Sequence, residues 1–348
     1  MNIKISKNIF LNSDSRPIII AEISGNHCGK KGLFLRHIVE AKKAGADMVK
    51  IQTYEPEDLT IRSFKNNFRI KSGIWKNQSL WDLYEKAQTP FEWHYDAFKL
   101  AKKIKIPLFS TPFSNRSLEF LEKFKPPVYK ISSFEITDYK LLQDIAKKGK
   151  PVILSTGLST IKEIQNAIQI IEKYNKKIII LYCVSGYPTP ENEANISTIN
   201  LFKKKFKNNI IGVSDHTNDI NSSLAAVSLG AKIIEKHFKI SNKINSFDSK
   251  FSITPAQLTD LKKKSYGMWV SLGEPSKDLK PSEKKSLVFR RSIYALKNIE
   301  KNSIITEKNI ITKRPNIGLN ANFYFKILGK KVKKKIKKNE PIYSSFLS

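Results

Sequence analysis

The first three-quarters of the chain alternates short apolar runs with longer stretches of helical spacing. The strand candidates are residues 17–22 (PIIIAE), 47–52, 106–110, 128–132, 152–155, 178–182, 210–213 and 233–235. These runs are continuously apolar rather than alternating, which marks a parallel sheet covered on both faces by helices. Eight strand–helix units in about 270 residues predict a closed (β/α)₈ TIM barrel over residues 1–273. No G-x-G-x-x-G follows the first run, which counts against a dinucleotide-binding sheet. After the second strand the alternation is interrupted by residues 53–89, an insertion with Trp75, Trp81 and Tyr84 that reads as a loop with short helices.

The pattern changes after Gly273. Residues 274–289 are rich in Pro, Ser, Glu and Lys and read as a linker. Residues 290–348 show short strands and turns, predicting a small β-rich domain. So small a domain buries little surface by itself, so it is expected to pack on the barrel or on a partner chain.

Composition changes this picture little. The formal net charge is +31, but the lysines are scattered in pairs on amphipathic stretches, with one dense run at 330–338. Nucleic-acid surfaces interleave Arg with aromatics, so no nucleic-acid partner is expected; a basic surface can still steer anionic substrates. Two cysteines, Cys28 and Cys183, form no disulfide framework and read as packing residues. Met1–Phe10 lacks the apolar core of a signal peptide, and no run approaches the ~18 apolar residues of a membrane helix. A cytoplasmic protein without a membrane partner is expected.

Chemistry in such barrels sits at the C-terminal ends of the strands. There the chain supplies Glu22, then Lys50 with Gln52, Thr111, Lys130 with Ser133 and Glu135, Ser155, Cys183 with Tyr187, Ser214-Asp215-His216, and Glu235-Lys236-His237. Lys50 and Lys130 lie among apolar residues, and a buried lysine needs an anionic partner. That partner is either an internal carboxylate, Glu22 or Glu235, or a bound phosphate or carboxylate cradled with nearby hydroxyls. His216 and His237 end consecutive strands and can converge on a divalent metal that also takes substrate oxygens. His37 reads as lying on a helix surface and His94 as starting a helix; His27 can be structural or functional.

Ordered motifs bring these residues together: AEISGNH (Ala21–His27), VKIQTY (Val49–Tyr54), STPF (Ser110–Phe113), YKISSFE (Tyr129–Glu135), LSTG (Leu154–Gly157), GVSDHT (Gly212–Thr217) and EKHF (Glu235–Phe238). On these the chain resembles the sialic acid synthase family end to end, and most closely its pseudaminate branch. KRPNIG (Lys313–Gly318) and LGKK (Leu328–Lys331) resemble the antifreeze-like (SAF) domain of that family. The resemblance implies condensation of phosphoenolpyruvate with an open-chain N-acetylated amino sugar, water addition at C2 and C–O cleavage releasing phosphate. It implies His216 and His237 as ligands of manganese, magnesium or cobalt, and Glu22 and Glu135 at the reacting centre, where a carboxylate such as Glu22 is a suitable base for the water that adds at C2. Lys50, Thr111, Lys130, Ser133, Ser155 and Ser214 would hold phosphoenolpyruvate. Gln52, Tyr187, Asp215, Phe247 and Asp248 would face the sugar, with Arg314 reaching over from the partner chain of a domain-swapped homodimer.

Ser246-Phe247-Asp248 stands where N-acetylneuraminate synthases carry Gly-Pro-Asp. With Trp75 and Phe134, this suits 2,4-diacetamido-2,4,6-trideoxy-altrose, a sugar with a methyl group and a second acetamide. Alternatives are an N-acetylneuraminate or legionaminate synthase acting by the same mechanism, a Schiff-base barrel aldolase using Lys130, and a non-enzymatic polyanion binder.

Overall fold

The eight apolar runs close into one parallel barrel. Its strands are β3 (Ile18–Glu22), β4 (Met48–Thr53), β5 (Leu108–Pro112), β6 (Tyr129–Ile131), β7 (Val152–Ser155), β8 (Ile178–Cys183), β9 (Ile210–Asp215) and β10 (Ile233–His237), with β10 pairing back onto β3. The computed structural model describes residues 1–348. A helix follows each strand, from Lys31–Lys43 after β3 to Pro255–Leu272 after β10. Several start as their sequences dictate: Thr160 and Glu163 form a capping box, as do Thr254 and Gln257 with Pro255 in the first turn.

Period-two alternation divides the strands into two layers. Ile19, Val49, Leu108, Tyr129, Leu154, Ile180, Val213 and Ile234 face the helices and join the main core. Ile18, Ile20, Met48, Phe109, Ile153, Ile179, Leu181, Ile210 and Ile233 fill the lumen. An antiparallel hairpin, β1 (Ile3–Ser6) and β2 (Ile9–Leu11), precedes the barrel. It adds Ile3, Ile5, Ile9 and Leu11 to the luminal core beside the N-terminal ends of the strands.

The lower lumen is therefore apolar, and the inward positions above it carry the polar groups. Strands β9 and β10 run to Asp215 and His237, two residues beyond the apolar runs that announce them. The pleat continues across those residues and decides which way each side chain points. No helix is long and apolar enough to cross a membrane.

Two compact units divide the chain, Met1–Gly273 and Glu274–Ser348. The second begins with the stretch expected as a linker, of which Pro281–Phe289 forms 3₁₀ turns. Its antiparallel pair is β11 (Ser292–Ala295) and β12 (Ile310–Lys313). It has a core of its own, including Ile293, Ile299, Ile305, Ile310, Val332, Ile336 and Ile342.

Candidate active site

A cavity of about 360 Å³ opens at the C-terminal ends of the strands. Lys50, Lys130, Ser155, Ser214 and Glu235 line its depth; Ser133 and Glu135 from the turn after β6 line one side, and His216, His237 and Asp248 another. Leu59, Ile70, Trp75, Leu83 and Tyr84 from the insertion contribute an apolar wall with Phe247 and Phe251.

At the bottom lies a charge quartet. Lys50 Nζ is 3.1 Å from Glu22 and 3.2 Å from Glu235. Lys130 Nζ donates to Ser155 Oγ at 2.6 Å and lies 3.6 Å from Glu235. Ser214 Oγ donates to Glu235 at 3.0 Å. The two partners left open by the sequence for Lys50 are thus both engaged. Burial opposes charge on all four groups, and their neighbours decide the outcome. Lys130 is lowered to about 8 by burial, with Glu235 pulling the other way. Lys50, between two carboxylates, is held above the ordinary lysine value against its burial. Glu235 is held below the ordinary carboxylate value, because Lys130 and Lys50 together outweigh its desolvation. Glu22 rises to about 7, since burial outweighs the attraction of Lys50.

Buried polar groups in folded proteins are nearly always satisfied. Here eight buried side-chain atoms lack a hydrogen-bond partner, and six belong to Glu22, Thr111, Glu135, Glu235 and His237, of which Glu22 Oε2 keeps its ion pair with Lys50. Such a concentration at one strand-end rim marks groups held ready for a ligand rather than for the fold. Glu135 lines the cavity with Oε2 unpartnered, and burial raises its carboxyl to about 7.

His216 and His237 converge, their ring centres 5.4 Å apart. His216 Nδ1 meets the Val184 carbonyl at 3.0 Å, leaving Nε2 available. His237 Nδ1 has no hydrogen-bond partner and lies 3.9 Å from Asp248 Oδ2. Burial, then the neighbouring His216, holds His237 well below its ordinary pKa, in the neutral form a metal requires. No group of three or more His, Cys, Asp and Glu side chains has the spacing of a complete metal site. Two converging imidazoles, one with a vacant buried ring nitrogen, fit a divalent ion whose other positions go to water and substrate oxygens.

Most expected residues gather here. Lys50, Gln52, Lys130, Ser133, Glu135, Ser155, Tyr187, Ser214, His216, His237, Phe247 and Asp248 all line the cavity. Glu22 and Thr111 point into the same lumen but are fully buried and do not reach the cavity wall. Arg314 is exposed in the second unit. Phe134 lines the cavity but is 60% exposed.

Asp215 is a correction. It points outward between Ser214 and His216, because adjacent strand residues face opposite sides of the sheet. There it pairs with Lys236 at 2.9 Å, out of reach of a sugar in the cavity. His37 is also not a surface residue: it is buried, edge-on to Phe238. His94 is buried too, with Nε2 2.7 Å from Thr53 Oγ1, and His27 packs between Phe34 and Trp93. Cys183 is more than packing, since it lines the cavity with Sγ 3.7 Å from His216 Nδ1.

Sequence reasoning missed Tyr54, Leu83 and Phe251 as cavity residues and gave Glu235, among the strand-end polar groups, no role beyond an internal partner for Lys50 or Lys130. A glutamate between Ile234 and Lys236 in an apolar strand was a readable signal. The insertion residues carry none, because a loop has no fixed period. Gly157 has a defined reason: a Cβ there would collide with Ser185 Oγ and stand 2.9 Å from Ser133 Oγ, the group its N–H meets at 3.0 Å.

A TIM barrel with a floor of lysines and hydroxyls and two converging histidines at the C-terminal rim of its strands has the arrangement of an enzyme active site. The chain belongs to the NeuB family, whose model matches residues 37–277, and carries a SAF domain at residues 290–348. It is 42% identical to a pseudaminic acid synthase of Campylobacter jejuni subsp. jejuni serotype O:23/36 (strain 81-176), over 96% of this chain and 97% of the relative. It is 39% identical to a pseudaminic acid synthase of Helicobacter pylori (strain ATCC 700392 / 26695), over 94% and 96% of the two chains. Among solved structures it resembles an N-acetylneuraminic acid (sialic acid) synthetase from Leptospira borgpetersenii serovar Hardjo-bovis. That match has a TM-score of 0.74 and 32% identity, covering 82% of this chain and 95% of the other.

Proposed function

We propose that this chain joins phosphoenolpyruvate to 2,4-diacetamido-2,4,6-trideoxy-altrose, forming pseudaminate and inorganic phosphate. The observation that carries this reading is the division of one cavity into a charged floor and an apolar wall. Lys50 and Lys130, with Ser133, Ser155 and Ser214, would hold the anionic substrate, and Trp75, Leu83 and Phe247 would meet the methyl and acetamido groups of the sugar. A divalent ion held by His216 and His237 would polarise the sugar aldehyde as a Lewis acid.

The chain's own groups then do the following. Lys50 and Lys130 orient phosphoenolpyruvate so that its C3 meets the aldehyde carbon and a C–C bond forms. Positive charge develops at C2, and water adds there, giving its proton to Glu135. Glu135 is the better placed of the two expected carboxylates, because it lines the cavity and titrates near neutrality. The C2–O bond to phosphate then breaks as the C2 hydroxyl gives its proton to the departing phosphate, leaving the ketone and hydrogen phosphate in the lysine cradle. The proton on Glu135 passes to the oxygen of the former aldehyde, which becomes a hydroxyl. In the free protein two lysines and two carboxylates balance; Glu22, at about 7, is the member that takes up a proton when a substrate anion replaces it on Lys50.

Substrate choice tests the apolar wall. The diacetamido sugar is expected to be turned over well in preference to N-acetylmannosamine. An apolar wall rejects an added hydroxyl only by about 10²-fold, so most of the discrimination comes from the second acetamide. Phe247→Ala is expected to raise KM for the sugar and to leave KM for phosphoenolpyruvate nearly unchanged. Equal turnover of N-acetylmannosamine would replace this substrate by that of a neuraminate synthase, and preference for the legionaminate precursor would point to that branch.

We further propose a cytoplasmic homodimer in which Arg314 of one subunit completes the site of the other. The match of residues 290–348 to a SAF domain and the exposure of Arg314 support it. Arg314→Ala and Lys130→Met chains, each inactive alone, are expected to regain about a quarter of full activity when unfolded and refolded together. About half of the random dimers are mixed, and each mixed dimer keeps one intact site of two. No recovery would exclude the shared site.

A further inference from the structure

We infer that Asp215 and Lys236 are positioning residues that set the separation of His216 and His237 from the outer face of the barrel. The inference rests on the reading of those histidines as metal ligands. Each of the two charged residues immediately precedes one of the histidines, and the two stand directly opposite each other in the β9–β10 register. Their ion pair, 2.9 Å long, is sealed from water, with side chains 0% and 2% exposed.

The pair does more than join two strands. Lys236 Nζ donates to the carbonyl of Thr217 at 2.6 Å. Asp215 Oδ1 accepts the backbone N–H of Thr217 at 2.9 Å and its hydroxyl at 2.8 Å, while Oδ2 accepts Ser223 Oγ–H at 2.5 Å. His216 therefore hangs between two residues that are both fastened to the residue preceding His237. β9 ends at Asp215, so His216 has left the ladder; its carbonyl accepts the Thr189 N–H at 3.0 Å, and the network fixes the residues on either side of it.

The alternative is a pair that serves the fold alone. A buried ion pair is a poor stabiliser, since apolar residues of like volume often serve as well or better. Its use lies in geometry. Metal ligation tolerates errors of about 0.2 Å in ligand distance, and groups one shell out from the ligands change metal affinity by about 10–100-fold. On the cavity side His237 makes no hydrogen bond at Nδ1; Asp248 Oδ2 stands 3.9 Å away and the Phe251 ring 4.7 Å away. The strand position of His237 therefore carries most of its placement.

The test is a titration of the full-length protein with Mn²⁺, following loss of the free-ion electron paramagnetic resonance signal. Phosphoenolpyruvate binding is measured separately by calorimetry without metal. His237→Ala is expected to abolish high-affinity Mn²⁺ binding, which checks the metal reading. The double variant Asp215→Asn/Lys236→Met removes both charges together and leaves none stranded. It is expected to weaken Mn²⁺ binding by about 10–100-fold, with phosphoenolpyruvate affinity changed by less than about twofold, as for a distant site. Lys236→Arg, which keeps the pair, is expected to bind Mn²⁺ within about threefold of the parent.

A folded double variant that binds Mn²⁺ like the parent overturns the inference while the metal reading stands. Equal losses for Mn²⁺ and phosphoenolpyruvate also overturn it, because they show a general role in the fold. Failure of the parent chain to bind Mn²⁺ removes the metal reading and this inference together. Should the double variant not fold, Asp215→Asn alone reports the same quantity: weakened Mn²⁺ with intact phosphoenolpyruvate binding supports the inference, and unchanged Mn²⁺ binding overturns it.

Discussion

Removal of divalent metal is expected to abolish turnover, and manganese, magnesium or cobalt to restore it. Lewis-acid polarisation of a carbonyl lowers a barrier by several kcal/mol, so a loss of at least about 10³-fold is expected. His216→Ala and His237→Ala should each lose activity comparably and fail to recover it with added metal. The basis is the pair of converging imidazoles and the buried Nδ1 of His237 without a partner. Activity and metal content measured on the same chelator-treated sample decide the matter. Full activity with no metal bound would leave the two histidines without this role.

Glu135→Gln is expected to separate catalysis from stability. Loss of a general base that takes a proton from water costs about 10²–10⁴-fold in kcat. Stability should move the other way. Glu135 has its carboxyl raised from 4.5 to about 7, chiefly by burial. Below pH 4.5 the group is protonated in both folded and unfolded chains and costs nothing. Between pH 4.5 and about 7 the unfolded chain ionises first, so the parent loses stability as pH rises. The loss is complete above about 7 and amounts to about 3 kcal/mol. The Gln variant lacks this penalty. It should match the parent in denaturant unfolding near pH 4.5 and exceed it at pH 8. A variant less stable than the parent at pH 8 would show that Glu135 serves the fold. Retention of full kcat would pass the proton to another group.

Comparison of particular elements shows how far the chain can be read without its structure. The eight barrel strands are legible because a parallel strand buried on both faces must be apolar at consecutive positions, and such runs stand out locally. The polar groups at their ends are legible for the same reason: Lys50, Lys130 and Glu235 interrupt runs that should contain no charge. Asp215 and Lys236 were legible in principle. Once β9 and β10 extend to Asp215 and His237, the two-residue period puts Ser214, His216, Glu235 and His237 inside and the other two outside. Strand ends are where the apolar signal fades into functional residues, so the side was misjudged there.

Other features belong to the tertiary structure alone. The Trp75 indole N–H donates to the Phe247 carbonyl across 172 residues of chain, and the Gly25 N–H to Asp248 across 223. No local pattern encodes such pairings, because they arise only after the barrel closes and brings β10 back to β3. The hairpin that fills the base of the lumen, and the burial of His37 and His94, are decided in the same way. So is the electrostatic contrast between Glu22 and Glu235. Both are glutamates at inward strand ends, but one meets a single lysine and rises to about 7, while the other meets two and is held low. Sequence determined which residues could carry charge into this barrel. The number of counter-ions that the closed fold sets around each carboxylate decided which of them can exchange a proton near neutral pH.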